Sequence, residues 1–496
     1  MSCVRETLCR AMPALALALL LTSAPGCSGD DEHGNAVLSG RNVVVVLVDT
    51  LRADHLGFHD YARDTSPFLD TVAAEGVVFD RAVSNSSFTR ESVSTLLTGR
   101  LPSMSGSMGW HAAPSDHLRT LGNVFKDEGY RTGFFTTTIM LGNPKFTRGF
   151  DVVDQLVEKA GVSGMSHELT NTALAFVRES PDDPFMMYVH YFDPHGPYDP
   201  SHELKLRFTD APHPDPVGLY TDLRPRLNQY LENGFAPGEE RFEDMVLRYD
   251  AEIVDVDDAI RDLFAGLEEL GVADDTLVIL TSDHGEEFLD HGNMGHAWAI
   301  YDESIQVPLV FWAPGVLEPA RVSRPASVAD IAPTLTALLD LPAEAGAHDG
   351  RPLFDAEGGQ VTGTAPIVTE LLIQHRNVLR AVTAGDWKYI QARRWLTPAE
   401  RMKVVAGREQ QTINKMAKLP FDPWSPVVRE ELFNLADDPD ELVDLSGSQP
   451  VQLERMRSLL ADFESRSREL GATQQGTAEE LSIDAEMAER IRSIGY

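Results

Sequence analysis

From residue 42 onward, short apolar runs alternate with amphipathic stretches. Val43-Val44-Val45-Val46-Leu47-Val48 has no polar interruption before Asp49, the pattern of a strand buried on both faces. Ser66-Pro67 opens a helical stretch that Gly76 closes, with Ser as N-cap and Pro as first helical residue. Val77-Val78-Phe79 reads as a second strand, and Glu91 to Leu97 as a helix stopped by Gly99. Leu118 to Lys126 is helical and leads to a strand at Thr132-Gly133-Phe134-Phe135. Phe185 to Tyr191 is strand-like. Residues 240–270 form the longest helix candidate, with Val246, Tyr249, Ile253, Val256, Ile260, Leu263 and Leu267 spaced by three and four. Leu277-Val278-Ile279-Leu280 is a strand running into Ser282-Asp283-His284-Gly285. Val307 to Trp312 is another strand and Ile331 to Leu339 another helix. This alternation predicts an α/β fold, a large, mostly parallel sheet sandwiched by helices. Beyond Gly358 come short strands (Trp387 to Ile390, Leu432 to Leu435) and one helix, Pro450 to Leu470. They predict a smaller C-terminal α+β subdomain.

The first residues change the picture. Arg5 and Arg10 precede the apolar run Ala11 to Leu21, followed by Ala24-Pro25-Gly26-Cys27. A basic start, a short apolar core and small residues before a cleavage point read as a secretory leader. The run is too short to span a bilayer. Cys after Gly resembles a bacterial lipobox, in which that Cys is acylated, so a lipoprotein attached to the cell envelope through Cys27 is expected. The expected organisation is a signal peptide at 1–26, a polar tether at 27–40, a catalytic domain at 41–357, the C-terminal subdomain at 358–470 and a tail at 471–496. All three cysteines (Cys3, Cys9, Cys27) lie at or before the expected cleavage point. Beyond Cys27 the chain therefore has no disulfide, Cys ligand or Cys nucleophile. No membrane-spanning helix is expected after the leader.

Charge narrows the partners. The 496 residues carry a formal net charge of −35. Phosphate neutralisation needs Lys and Arg, so nucleic acid is excluded as a partner and adsorption on anionic lipid is disfavoured. An anionic substrate needs local positive charge, which a metal supplies.

In parallel sheets, chemistry gathers at the carboxyl ends of strands. Asp49 and Asp283-His284 sit there, two carboxylates and an imidazole of the kind that bind a divalent metal. Each also reads as an ordinary turn or cap residue. Thr89 precedes a helix, beside free backbone N–H groups that favour an anion and a deprotonated nucleophile. Read alone, Thr89 is more readily an N-cap.

Several blocks resemble, in order, the sulfatase branch of the alkaline phosphatase superfamily. They are Asn42 to Asp54 (NVVVVLVDTLRAD), Thr89 to Arg100 (TRESVSTLLTGR), Asp193 to Tyr198 (DPHGPY), Thr281 to Glu286 (TSDHGE) and Tyr301 to Pro308 (YDESIQVP). Ser327 to Leu335, Gly385 to Tyr389 and Glu431 to Leu445 complete a resemblance over roughly residues 40–465. It implies Asp49, Asp283 and His284 as metal ligands, with Thr89 completing the set. Thr50 stands where a second metal Asp is common. His195 matches a His that contacts the ester oxygens, and His296 lies where Lys or His contacts substrate. At the nucleophile the family pattern Cys/Ser-x-Pro-Ser-Arg falls on Thr89-Arg90-Glu91-Ser92-Val93. Thr cannot be converted to formylglycine, so none is expected, and Arg has moved to Arg90. The family's lysine-containing stretch is replaced by Thr136-Thr137-Thr138. Superfamily members with Thr here are typically phosphodiesterases, pyrophosphatases or phosphoethanolamine-type transferases.

The expectation is a metal-dependent hydrolase of sulfate or phosphate esters using one or two Ca, Mn or Zn ions. The catalytic residues are then Thr89, Arg90, His195 and His296. The alternatives are a phospho-group transferase modifying envelope glycans or lipids, and a non-catalytic sulfatase-like binding protein. Residues 196–237, rich in Pro and charge, are expected to form an insertion over the cleft.

Overall fold

Alternate residues of the first strand pack on opposite layers, which is why its run of valines is unbroken. Val43, Val45 and Leu47 belong to one apolar core and Val44, Val46 and Val48 to the other. The computed structural model describes residues 36–109, 113–156, 164–209, 240–343, 346–363, 365–372, 377–395 and 423–473. The expected leader, Cys27 and most of the tether lie outside them, as do 210–237 of the insertion and 474–496 of the tail.

The main sheet contains β1 (Asn42–Val48), β2 (Val77–Phe79), β3 (Arg131–Thr136), β4 (Val152–Asp154), β5 (Phe185–Tyr191), β6 (Thr276–Ser282), β7 (Leu309–Trp312) and β8 (Ala320–Val322). These eight lie in the order β8-β2-β7-β6-β1-β5-β3-β4. Only β7 is reversed, pairing antiparallel with β2 and β6. The strand expected at Val307 to Trp312 is split at Pro308, which has no N–H to give a ladder. Gln306–Val307 pairs in a separate small sheet instead.

The helices are α1 (Pro67–Glu75), α2 (Thr89–Thr98), α3 (Leu121–Asp127), α4 (Ser166–Glu179), α5 (Glu240–Glu269), α6 (Ile331–Leu339) and α7 (Pro450–Thr473). α2, α3 and α6 supply Val93, Val124 and Leu335 to one core; α1, α4 and α5 supply Val72, Leu169 and Ile260 to the other. Each such side chain contributes about 1.5–3 kcal/mol on burial. α3 starts later than its apolar pattern suggests because Thr120 and Asn123 form a capping box. Ser66 precedes α1 but does not cap it. Asp257 of α5 takes that role, accepting from Phe68 N at 3.0 Å and Leu69 N at 2.8 Å. Ser66 Oγ instead accepts from Gly57 N and donates to Asp70.

The C-terminal subdomain is an antiparallel sheet of β9 (Ile367–Leu371), β10 (Val378–Ala384), β11 (Trp387–Arg394) and β12 (Arg429–Asn434), in that order. α7 covers it with Leu453, Met456, Leu460 and Phe463 against Val382, Tyr389 and Leu432. Among the described residues, no helix is long and apolar enough to cross a membrane.

Candidate active site

β1 and β6 are parallel neighbours with Val48 opposite Ser282, so Asp49 and Asp283 leave adjacent strand ends side by side. Asp49, Asp283 and His284 each offer a donor atom within 4.8 Å of the others, and all three are fully buried. One oxygen of each carboxylate is already engaged. Asp49 Oδ2 lies 3.3 Å from His190 Nε2, and Asp283 Oδ1 accepts from Thr50 N at 3.2 Å and His284 N at 3.0 Å. The other oxygens, Asp49 Oδ1 and Asp283 Oδ2, have no hydrogen-bond partner among the described residues. Leaving buried carboxylate oxygens bare is costly unless a cation faces them. The protonation pattern agrees. Burial, then Asp283 and Glu286, push Asp49 well above the usual carboxylate range. Burial would raise Asp283 too, but His284 and His190 bring it below its ordinary value. Two carboxylate oxygens, His284 Nε2 and the Thr89 hydroxyl therefore fit a divalent cation.

Thr89 is the first residue of α2 and Phe88 occupies the cap position. Its hydroxyl is thus not an N-cap: Oγ1 lies 3.2 Å from His284 Nε2. Thr89 and Arg90 are both buried. Thr50 holds a left-handed conformation, φ 56°. Tyr249 secures that turn, donating its OH to Thr50 O at 2.7 Å and accepting from Arg52 N at 2.9 Å.

Three imidazoles gather beside the carboxylates. The His296 ring centroid is 4.4 Å from that of His284 and 4.9 Å from that of His195. Each Nδ1 faces an acceptor: Gly285 O at 2.9 Å for His284, Gly196 O at 2.7 Å for His195, and Glu286 Oε1 at 3.0 Å for His296. A carbonyl can only accept, so Nδ1 of His284 and His195 carries the hydrogen and their Nε2 atoms are the basic ones. Burial, then His296, lowers His195 to about 3, and burial lowers His190 to about 4. Burial raises Glu286 to about 7. Ala297 N donates to Ser87 O at 2.9 Å, tying the His296 loop to the segment before α2.

All the expected residues except Arg90 are joined by these distances; Arg90 is placed next to Thr89 in the first turn of α2. Three residues were not read from the sequence as site members. His190 lies within the buried strand β5, and a lone polar residue in such an apolar run was its only signal. Glu286 follows the Ser-Asp-His-Gly turn directly. Glu91, at the family's Pro position, accepts from Ser86 Oγ, Gly109 N and Leu372 N, and burial pushes it up to about 7.

Residues 41–341 match the family described as Sulfatase. The chain belongs to the sulfatase family. Among its sulfatase relatives, the uncharacterized sulfatase YidJ of Escherichia coli (strain K12) is 26% identical over 349 residues, covering 60% of this chain and 68% of that protein. The ulvan-active sulfatase of Formosa agariphila is 27% identical over 332 residues, covering 60% of this chain and 62% of that one, just under two thirds of its length. Among solved structures, the phosphonate monoester hydrolase of Agrobacterium radiobacter shares the fold, with TM-score 0.62, 21% identity, and coverage of 87% of this chain and 96% of that one. Membership of that family makes this chain a hydrolase.

Proposed function

We propose that this sulfatase-family hydrolase is metal-dependent, uses Thr89 as its covalent nucleophile and prefers phosphate esters to sulfate esters. The observation that carries the reading is the Thr89 hydroxyl at 3.2 Å from His284 Nε2, beside two carboxylate oxygens with no hydrogen-bond partner among the described residues. Asp49, Asp283, His284 and Thr89 would hold a divalent cation, which would supply Lewis acidity to lower the hydroxyl pKa and offset charge on the ester. Thr89 Oγ1 loses its proton to solvent and forms a bond to phosphorus as the bond to the leaving alcohol breaks, giving phosphothreonine. Its position in the first turn of α2 adds a favourable field for the oxyanion. His296, fixed by Glu286, delivers a proton to the departing alkoxide oxygen. His195 packs against His296 and lines the oxygens of the ester. Water then attacks phosphorus, breaks the bond to Oγ1 and restores the hydroxyl.

A sulfate ester would leave sulfothreonine, which has none of the elimination chemistry open to a formylglycine hydrate. That asymmetry supports phosphorus over sulfur. The leader sequence supports an envelope location, with attachment through Cys27.

The test is Thr89→Ala beside Thr89→Ser on a phosphodiester, a phosphonate monoester and an aryl sulfate, with mass spectrometry of quenched protein. Thr89→Ser is expected to keep activity, Thr89→Ala to lose it, and phosphothreonine to accumulate on a slow substrate. Full phosphodiesterase activity in Thr89→Ala, or turnover of sulfate alone by the wild type, refutes the reading.

A further inference from the structure

His190 is the polar interruption of a strand otherwise made of buried apolar and aromatic residues. It pairs with Leu47 in the parallel register of β5 with β1, which sets its ring beside the point where Asp49 leaves β1. An ionised carboxylate only accepts hydrogen bonds. With a cation on Oδ1, Asp49 would be ionised, and His190 Nε2, 3.3 Å from Asp49 Oδ2, would then carry the hydrogen. In the neutral ring Nδ1 is then an acceptor, and the Tyr188 hydroxyl donates to it at 2.9 Å. Tyr188 and His190 stand two apart on one face of β5, and Tyr188 is itself fixed by stacking on Phe134 with ring centroids 4.7 Å apart. The chain Tyr188–His190–Asp49 is fully buried.

Its effect is to occupy one particular oxygen. Asp49 Oδ2 is taken, and Oδ1 is left toward Asp283 and His284. Asp283 is treated alike, with Oδ1 taken by two backbone N–H groups and Oδ2 left. For either carboxylate to chelate through both oxygens, the oxygen that already accepts a hydrogen bond would have to share its lone pairs with the cation. Together with His284 Nε2 and Thr89 Oγ1 the protein offers about four donors, which suits small N/O-binding ions. Calcium takes about six to eight oxygens and draws on bidentate carboxylates.

We propose that His190, oriented by Tyr188, is a positioning residue that keeps Asp49 monodentate and so biases the centre toward a transition cation such as Mn²⁺ and away from Ca²⁺. This rests on Asp49, Thr89, Asp283 and His284 being the metal ligands, and not on which ester is cleaved. Hydrogen-bond partners of metal-bound carboxylates commonly tune affinity by roughly 10–100-fold.

The test uses the full chain, stripped by chelation and titrated calorimetrically with Mn²⁺ and with Ca²⁺, together with Mn²⁺ electron paramagnetic resonance. The wild type is expected to bind Mn²⁺ more tightly. His190→Leu should weaken Mn²⁺ by about 10–100-fold, with Ca²⁺ unchanged or tighter, so that the Mn²⁺ to Ca²⁺ preference falls. His190→Gln, whose amide nitrogen can replace Nε2, should restore the preference, and Tyr188→Phe should give a smaller fall in the same direction. A folded His190→Leu protein with wild-type preference overturns the proposal. Should His190→Leu fail to fold, a Tyr188→Phe protein that keeps the wild-type Mn²⁺ to Ca²⁺ preference overturns it. A wild type that binds neither ion overturns the ligand assignment itself, which separates the two failures.

Discussion

Glu286 Oε1 lies 3.0 Å from His296 Nδ1, so one carboxylate sets the orientation of an imidazole stacked near two others. If His296 protonates the leaving oxygen, disturbing this contact should hurt poor leaving groups most. Glu286→Gln is expected to lower kcat on an alkyl phosphodiester by ~10²-fold or more, with a much smaller loss on an activated aryl ester. Glu286→Asp should recover part of it. Equal losses on both substrates would remove His296 from the proton-transfer role.

Chelation should destabilise the protein. A ligand present at 100 times its dissociation constant stabilises the folded state by ~2.7 kcal/mol. Calorimetry with and without a chelator is expected to show a lower Tm for the stripped protein, restored by Mn²⁺ or Zn²⁺. Asp49→Asn should abolish that restoration. A Tm indifferent to every divalent ion would count against the metal centre.

His291 gives a pH signature away from the centre. Burial would lower it, but Glu303 Oε1 at 2.9 Å and Glu441 O at 3.2 Å push it up to about 9 from an ordinary 6.5. A raised pKa means the folded state holds the proton more tightly. Its contribution is therefore complete below pH 6.5 and is lost as the pH rises through about 9. The ring is partly screened, so the effect is on the order of 1 kcal/mol. Urea denaturation of wild type and His291→Gln should differ at pH 6 and converge above pH ~9.5. A difference that is constant with pH contradicts this.

Envelope attachment is checked by fractionation. Wild-type protein is expected in the membrane fraction, since acylation contributes ~0.8 kcal/mol per buried CH₂. Cys27→Ser protein is expected in the soluble exported fraction. An unchanged distribution would refute the anchor.

The layered fold was legible because its signals are local. The valines of β1, the three-and-four spacing of α5 and the Gly99 stop of α2 each need only a few neighbouring residues. The reversal of β7 was not legible, because a buried strand reads the same in either direction. Nor was Asp257 as the cap of α1, a contact across 188 residues of chain. At the site, strand ends and a helix start mark Asp49, Thr89, Asp283 and His284 as candidates, and the family resemblance was needed to single them out. His190 and Glu286 meet the site through side-chain contacts that no spacing rule encodes.

The turn at Thr50 has a further consequence. A β-branched residue at φ 56° is held in a region that Asn, Asp and Gly enter more easily, at a strain of roughly 1–2 kcal/mol. An Asp there, as the family resemblance implies, would relax the backbone and bring one more hard oxygen to the cluster. Conformational comfort and ligand number are therefore linked at a single position. Thr50→Asp is the shortest path from this nitrogen-and-oxygen centre to an oxygen-rich one.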